Sequence, residues 1–223
     1  EIIAKAKSEM VSNLEPEKIA ILGSYDDLTV NMKNLTKANV ITFGENSNND
    51  VRATDVEIRE GFAHFDLVTS YGRESVALRQ AGRHQVANAL AAAAIATALN
   101  MPIDKISAGL STAESSSKWR MELHEIAGRL IINDSYNANP ESMFAALDSL
   151  RLFAQERGGR AWAFLGKMHE LGDYSLIGHR EVARRARDLE IDHLVAIGIK
   201  EYLIESESGS TEIVFVDMHL NNR

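Results

Sequence analysis

The sequence contains no cysteine in its 223 residues. Disulfide bonds, thiolate nucleophiles and cysteine-based zinc sites are therefore excluded, and a reducing cytoplasm is compatible with the chain. No apolar stretch is long and unbroken enough to span a bilayer, because the alanine-rich run near residue 91 carries Asn88, Thr97 and Asn100 close by. No signal peptide is recognisable either. We therefore expect a cytoplasmic protein that does not enter a membrane.

Basic residues are fewer than acidic ones. The chain has 24 Lys and Arg against 32 Asp and Glu, a formal net charge of -8, and no run of Lys or Arg stands out. This balance argues against a nucleic-acid partner and against an anionic membrane surface. A small anionic ligand is still compatible with it, because helix N-termini and single cations hold phosphates whatever the global charge.

Several common catalytic motifs are absent too. The sequence has no G-x-x-x-x-G-K-[ST], so it lacks a phosphate-cradling loop of that type. No G-x-G-x-x-G follows a predicted strand, which disfavours a dinucleotide-dependent oxidoreductase. There is no G-x-S-x-G motif and no defensible Ser/His/Asp set. Metal-ligand spacing is not found among His84, His124, His169 and His179.

The hydrophobic pattern predicts an α/β protein with two differently built halves. Apolar runs at residues 18–23 and 39–44 predict buried strands, and alternation over residues 55–79 predicts an antiparallel meander followed by an alanine-rich helix. Residues 111–118, which are small and polar, are the predicted interdomain linker. In the second half, strands and helices alternate, which predicts a parallel, three-layer sheet. Its predicted strands lie at residues 129–134, 161–165, 193–197 and 212–216, and its predicted helices at 140–155 and 175–189.

Many uncharged polar side chains follow the first of these strands, in the segment DSYNANP. Asn139 can cap the next helix, with Pro140 at its first position. Helix capping leaves Asp134, Tyr136 and Asn137 unexplained, because a turn needs only one or two such residues. Since ligands sit at the carboxyl ends of strands in open parallel sheets, we favour a ligand site over a polar turn.

Two further segments are weaker candidates. The loop at residues 166–172 holds Lys167 and His169, and it either covers a ligand or is a solvated β-α loop. In GRHQVAN, Arg83 and the free N–H groups of a helix start would meet an anion. Asn88 in the same segment would hydrogen-bond either a base edge or a neighbouring loop carbonyl, and both alternatives stay open.

Four segments carry a family resemblance: GRHQVANALAAAAIATAL, WRMEL, INDSYNANPESMFAAL and LGKMHELGDYSLIGHREV. Their order and spacing resemble the Mur ligase family over nearly the whole chain, fading after about Gly198. The resemblance implies that residues 1–115 are the C-terminal half of the central ATP-binding domain. It also implies that residues 116–223 are a truncated, Rossmann-like C-terminal domain. Because the phosphate loop is missing, we expect the chain alone to be inactive and to bind ATP weakly.

The segment DSYNANPESM resembles the branch of the family that adds a dipeptide. By this resemblance, the whole enzyme is an ADP-forming ligase of peptidoglycan precursor synthesis that uses ATP and Mg²⁺. It would phosphorylate the terminal carboxylate of a UDP-N-acetylmuramoyl-tripeptide, and the amine of D-alanyl-D-alanine would then attack the acyl phosphate. The implied partners are these two substrates, and we expect a monomer.

The resemblance also implies roles for residues around the nucleotide. Asn88 matches the asparagine that hydrogen-bonds adenine, and His84 begins the same motif. Arg120 matches a catalytic arginine that reaches the ribose and phosphates, and Asp134 matches the aspartate at the ribose hydroxyls. These side chains would share one cleft when two lobes joined near Ser116 close.

Other roles concern the acceptor and the metal. Tyr136, Asn137 and Asn139 match the loop that meets the incoming dipeptide. Lys7 matches a lysine that is carbamylated in these ligases, and its carbamate would help to hold Mg²⁺. On composition alone, Lys5 and Lys7 are surface lysines.

The sequence also departs from the family pattern. Gly23 stands where the family usually carries asparagine, which puts a loop contact there in doubt. Gln85 replaces a frequent asparagine, and Trp119 stands where the dipeptide-adding branch usually has glycine, which weakens the alignment of Arg120.

Two other interpretations remain open. One is another Mur-type ligase that adds glutamate or diaminopimelate, which activity with different acceptors would distinguish. The other is a non-catalytic nucleotide-binding α/β module, which calorimetry with ATP or ADP would test.

Overall fold

The computed structural model describes residues 2–114, 117–204 and 210–217. The chain divides into two compact units, Glu1–Glu114 and Ser115–Arg223. Both contain helices and parallel strands, so the predicted α/β class is confirmed. In these described ranges, no helix is long and apolar enough to cross a membrane.

The first unit is built on one five-stranded mixed sheet. Its strands are β1 (Ile19–Gly23), β2 (Asn39–Gly44), β3 (Val51–Arg59), β4 (Phe62–Thr69) and β5 (Gly72–Ala81), in that spatial order. Strands β1 to β3 are parallel, and β3 to β5 form the antiparallel meander that the alternation predicted. The turn between β3 and β4 places Glu60 and Gly61 at positive φ, 51° and 80°. Glycine adopts this conformation without a steric penalty.

Helices accompany this sheet, and the alanine-rich helix packs on it through small side chains. The helices are α1 (Ile2–Ser12), α2 (Asp27–Asn31), α3 (Gln85–Ala98) and α4 (Ile103–Thr112). Ala93 and Ala94 of α3 are fully buried against the core that contains Val51 and Leu67. The short helix α2 was not predicted, although Asp26 caps it by accepting a 2.7 Å hydrogen bond from the Thr29 N–H.

The predicted linker at residues 111–118 is partly helical instead. Ser111 and Thr112 belong to α4, where Ser111 Oγ accepts a 3.2 Å bond from the Ala77 N–H and Thr112 Oγ1 donates to the Ala108 carbonyl. Ser111 and Thr112 therefore form the last turn of α4 and are not part of a flexible segment. The linker prediction was wrong for these two residues. The predicted hinge at Ser116 lies outside the described residues.

The second unit contains a hairpin and a three-stranded parallel sheet. The strands are β6 (Glu122–Ile126), β7 (Arg129–Asn133), β8 (Trp162–Leu165), β9 (His193–Ile197) and β10 (Glu212–Val216). In the described part of this unit, β7 pairs antiparallel with β6, and the parallel sheet has the order β10-β9-β8. The sequence predicted one parallel sheet including β7. The hairpin forms because Ala127 and Gly128 adopt left-handed φ values of 50° and 76°, which suit a two-residue turn.

Two helices cover one face of the parallel sheet. They are α5 (Pro140–Glu156) and α6 (Ser175–Asp188), and they share a core with the buried side chains of Ala163, Leu194 and Ala196. On the opposite face, Trp162 and Phe164 are 45% and 62% exposed. The helices therefore form a single layer on this sheet among the residues described.

Candidate functional site

In the first unit, polar side chains gather where β1 and β2 end and α3 begins. The Ser24 N–H donates to the Phe43 carbonyl at 2.9 Å and keeps the two strand ends side by side. A Cβ on Gly44 would lie 2.4 Å from Ser24 Oγ and 2.9 Å from Asn49 Nδ2, so glycine is required at this position. Open parallel sheets bind ligands at such carboxyl ends, which makes this corner a candidate site.

Arg83 at the start of α3 is held by an acidic residue. Its guanidinium donates two hydrogen bonds to the Glu45 carboxylate, at 2.8 and 3.0 Å. Tyr25 lies beside this pair and packs edge-on against Phe43, with ring centroids 6.3 Å apart. Arg83, which the sequence offered as an anion contact, therefore has a bidentate carboxylate partner in this structure.

Tyr25 makes this corner sensitive to alkali. Its own burial, and next the negative charge of Glu45, raise its pKa to about 12 against the opposing effect of Arg83. In the unfolded chain a tyrosine ionises near pH 10. Tyr25 therefore stabilises the fold fully below about pH 10, and this contribution is lost as the pH rises towards 12.

The alkaline effect is measurable with Tyr25→Phe, which has no ionisable group. Between about pH 10 and 12 the free energy of unfolding should fall less steeply in this variant than in the parent. Urea titrations followed by circular dichroism give both curves. From about pH 7 to 9 the difference between the two proteins should stay constant. Parallel curves throughout the alkaline range would contradict this role for Tyr25.

Three side chains form a hydrogen-bonded row along the first turn of α3. Asn88 Nδ2 donates to Gln85 Oε1 at 2.9 Å, and Gln85 Nε2 lies 3.1 Å from His84 Nε2. Asn88 is exposed and His84 is half-buried. Asn88 thus contacts its own helix rather than a loop carbonyl, and this contact uses one of the two N–H groups of its amide. The predicted adenine contacts of His84 and Asn88 stay predictions.

Lys7 lies exposed on α1. Within the described ranges, no group of three or more His, Cys, Asp or Glu side chains is arranged to hold a metal ion. A ready-made carboxylate cluster for Mg²⁺ is therefore not found among these described residues. Carbamylation of Lys7 and its role as a metal ligand stay predictions.

In the second unit, the structure brings together Arg120, Asp134 and Tyr136. The Arg120 guanidinium carbon lies 4.2 Å from the centre of the Tyr136 ring. Asp134 Oδ1 accepts a 3.1 Å hydrogen bond from the Met121 N–H, and the Tyr136 N–H donates to the Trp119 carbonyl at 3.0 Å. The segment before β6 is therefore bound at three points to the segment after β7.

The backbone around Arg120 is strained. Trp119 and Met121 both have left-handed φ values, 62° and 48°, although neither is glycine. Each such residue costs on the order of 1 kcal/mol. The hydrogen bond from the Tyr136 N–H, the one to the Asp134 carboxylate and the buried Met121 side chain hold the segment in this conformation. Strain of this kind is concentrated at ligand sites, which supports a role for Arg120.

Asn139 acts as the helix cap that the sequence allowed. Its Oδ1 accepts a 2.9 Å bond from the Ser142 N–H, and its own N–H donates to Ser142 Oγ at 3.1 Å. This reciprocal pair, with Pro140 at the first helical position, explains Asn139 structurally. Asn137 is exposed. The dipeptide contacts predicted for Tyr136, Asn137 and Asn139 stay predictions.

A groove of about 1060 Å³ runs between β7, α5 and β8. Its walls include Asp134, Tyr136 and Asn137 after β7, and Lys167 and His169 after β8. The two polar segments that the sequence singled out in this half therefore line one groove. Cations and hydrogen-bonding groups face it together, as a site for an anionic or peptide-like ligand requires.

His179 anchors the loop that carries Lys167 and His169. It is fully buried, its Nε2 accepts a 3.0 Å bond from the Met168 N–H, and its Nδ1 lies 2.6 Å from the Ser175 carbonyl. These contacts fix the neutral tautomer with the proton on Nδ1. The ring also meets Tyr202 edge-on, and the Tyr202 hydroxyl donates to the Gly166 carbonyl at 2.8 Å.

Sequence reasoning missed three of these features. The pairing of Arg83 with Glu45 joins residues far apart in the chain, and no local pattern indicates it. The function of His179 was missed because its spacing was considered only for metal binding. The hairpin was recognisable in principle, since two short segments with apolar residues flank Ala127 and Gly128, and glycine favours a tight turn.

Comparison with known proteins identifies the family. The family model of the Mur ligase middle domain matches residues 1–96, and that of the Mur ligase glutamate ligase domain matches residues 119–217. The UDP-N-acetylmuramoyl-tripeptide–D-alanyl-D-alanine ligase of Mycobacterium tuberculosis is 34% identical over 89% of this chain and 40% of its own length. The enzyme of that name from Escherichia coli is 32% identical over 94% of this chain and 46% of its length.

A solved structure leads to the same result. The crystal structure of MurF from Acinetobacter baumannii superposes with a TM-score of 0.80 and 36% identity, covering 88% of this chain and 42% of that one. The chain thus spans less than half of the length of these relatives. The two family models together match most of the chain, on both sides of the boundary between the two compact units. The chain belongs to the Mur ligase family.

Proposed function

We propose that the chain is part of an ATP-dependent ligase that joins D-alanyl-D-alanine to a UDP-N-acetylmuramoyl-tripeptide in peptidoglycan precursor synthesis. Because the matched relatives are more than twice as long as the aligned segment, activity is measured on a complete ligase, meaning an enzyme of full family length that contains this chain. A reducing cytoplasm, compatible with the absence of cysteine, is the proposed location.

The observation that carries the proposal is the cluster of Arg120, Asp134 and Tyr136. The Arg120 guanidinium lies over the Tyr136 ring, and the Asp134 carboxylate binds the N–H of the residue after Arg120. Asp134 and Tyr136 line a groove that also takes in Lys167 and His169. Arginine binds phosphate oxygens with paired N–H donors, and a carboxylate accepts hydrogen bonds from ribose hydroxyls. The same few residues thus provide partners for both parts of a nucleotide.

The proposed reaction has two steps. The tripeptide carboxylate oxygen attacks the γ-phosphorus of ATP, and ADP leaves with the electron pair of the broken bond. The amine of the dipeptide then attacks the acyl carbon, loses a proton and expels inorganic phosphate. Neither step requires covalent chemistry from the protein, so positioning and cationic stabilisation of phosphate oxygens account for catalysis. Arg120 is the residue of this chain to which we assign that stabilisation.

Two replacements of Asp134 test its part in nucleotide binding. Asp134→Ala removes both the charge and the acceptor for the Met121 N–H, whereas Asp134→Asn retains an oxygen for that hydrogen bond. In the complete ligase we expect Asp134→Ala to raise the KM for ATP by about tenfold, as for the loss of one charged hydrogen bond. Asp134→Asn should have a smaller effect.

Circular dichroism of both variants provides the folding control, and the KM for D-alanyl-D-alanine provides the control for the acceptor site. An unchanged KM for ATP in folded Asp134→Ala would remove Asp134 from the nucleotide site.

A further inference from the structure

We propose that Tyr136 is a positioning residue for Arg120, and that its ring orders the guanidinium for nucleotide binding. This role rests on the proposed function, because it assumes that Arg120 binds the nucleotide. It differs from the dipeptide contact that the family resemblance implied for Tyr136. Ring and hydroxyl can be separated experimentally, since only the ring contacts Arg120.

The contact itself is a cation–π interaction. The guanidinium carbon of Arg120 lies 4.2 Å from the Tyr136 ring centre, well within the range of about 6 Å in which such pairs attract. Both side chains are exposed, and Tyr136 is 57% accessible to solvent. The two residues therefore order each other at the surface, where burial alone would not fix either of them.

The backbone supports this contact from both sides of Arg120. Tyr136 binds the Trp119 carbonyl through its N–H, and Asp134 binds the Met121 N–H through its carboxylate. The two left-handed residues that flank Arg120 are thus tied to the segment that carries the tyrosine ring. These two hydrogen bonds place the Arg120 side chain beside the Tyr136 ring.

Ordering matters because a free arginine has many rotamers. Immobilising such a side chain on ligand binding costs conformational entropy. A ring that already holds the guanidinium removes part of this cost before the ligand arrives. The π face accepts no classical hydrogen bond from the cation, so this contact leaves the N–H groups of Arg120 able to donate to phosphate oxygens.

The first experiment uses the 223-residue chain and does not depend on the proposed function. Nuclear magnetic resonance of the arginine Nε–H groups reports ring-current shifts, and Arg120→Ala assigns the Arg120 signal. We expect Tyr136→Phe to retain the shifted Arg120 signal and Tyr136→Leu to move it to the position of a solvated arginine. A signal that is the same in the parent and Tyr136→Leu would overturn the proposed contact.

The second experiment measures kinetics in the complete ligase. Tyr136→Leu should raise the KM for ATP by roughly two- to fivefold, the range expected for an exposed cation–π pair. Tyr136→Phe keeps the ring that contacts Arg120 and should raise the KM for ATP less than Tyr136→Leu does. In the Arg120→Ala background, Tyr136→Leu should have no further effect on the KM for ATP, because its target is missing.

The outcomes separate the two proposals. If Arg120→Ala leaves the KM for ATP unchanged, the proposed nucleotide role of Arg120 fails. If Arg120→Ala raises that KM but Tyr136→Leu does not, only the positioning role fails. If Tyr136→Phe raises the KM for ATP as much as Tyr136→Leu does, the ring does not order Arg120, and the positioning role is overturned.

Discussion

Replacement of His179 by alanine should lower the free energy of unfolding of the second unit by about 3 kcal/mol. The imidazole is fully buried, and it contacts the ring of Tyr202 and the N–H of Met168, two residues of the core of that unit. Its removal leaves a cavity and also leaves the buried Met168 N–H without its acceptor. Both losses fall within one core, so a large effect is expected from this single change.

The two tryptophans make the measurement specific. Trp119 and Trp162 are the only tryptophans in the sequence and both lie in the second unit, so urea titration followed by their fluorescence reports on that unit. His169→Ala is the matched control, because His169 is exposed on the same loop, and it should change the stability by less than about 0.5 kcal/mol. Equal stabilities of the two variants would show that His179 does not anchor the loop.

Replacement of Arg120 by alanine should reduce kcat/KM for ATP in the complete ligase by roughly 10- to 100-fold. The physical reason is the loss of charged hydrogen bonds to phosphate oxygens in a reaction that depends on electrostatic stabilisation. Arg120→Lys should recover only part of the activity, because an ammonium group lacks the planar pair of donors.

A neighbouring cation provides the control for net charge. Lys118 is exposed and lies two residues before Arg120 in the sequence. Lys118→Ala removes one positive charge and should leave kcat/KM for ATP within about twofold of the parent. Similar losses in Arg120→Ala and Lys118→Ala would mean that the general field, rather than a specific contact, binds the nucleotide.

Much of the fold follows from local patterns. Strands β2, β9 and β10 begin and end at the predicted residues, because alternating or continuous apolar runs are bounded there by glycine or polar residues. Helix α5 begins at the predicted Pro140, since its capping residues are adjacent in sequence. Local chemistry determines these elements, so the sequence is sufficient to locate them.

The errors have long-range or competing causes. Ser111 and Thr112 have the composition of a linker, but their hydroxyls bond to Ala77 and Ala108 and extend α4. Strand β7 was predicted in the parallel sheet from its position before a helix, yet the two-residue turn pairs it with β6. In both cases a tertiary or turn contact prevails over composition.

The candidate site was only partly predictable. The polar cluster after β7 was recognised because turn formation could not account for Asp134, Tyr136 and Asn137, and the structure places all three along one groove. The contact between Arg120 and Tyr136 depends on two left-handed residues that no propensity favours. The sequence does not predict the positive φ values of Trp119 and Met121, because they result from hydrogen bonds between the segment before β6 and the segment after β7.

The most direct test of the account is the acceptor dependence of ADP release by the complete ligase, with ATP and the UDP-muramoyl-peptide that matches each acceptor; for D-alanyl-D-alanine this is the UDP-N-acetylmuramoyl-tripeptide. We predict fast ADP release with D-alanyl-D-alanine. With D-glutamate or diaminopimelate, each offered with its own UDP-muramoyl-peptide substrate, release should be at background level. Preference for either single amino acid, or no acceptor-dependent release at all, would contradict the proposed reaction.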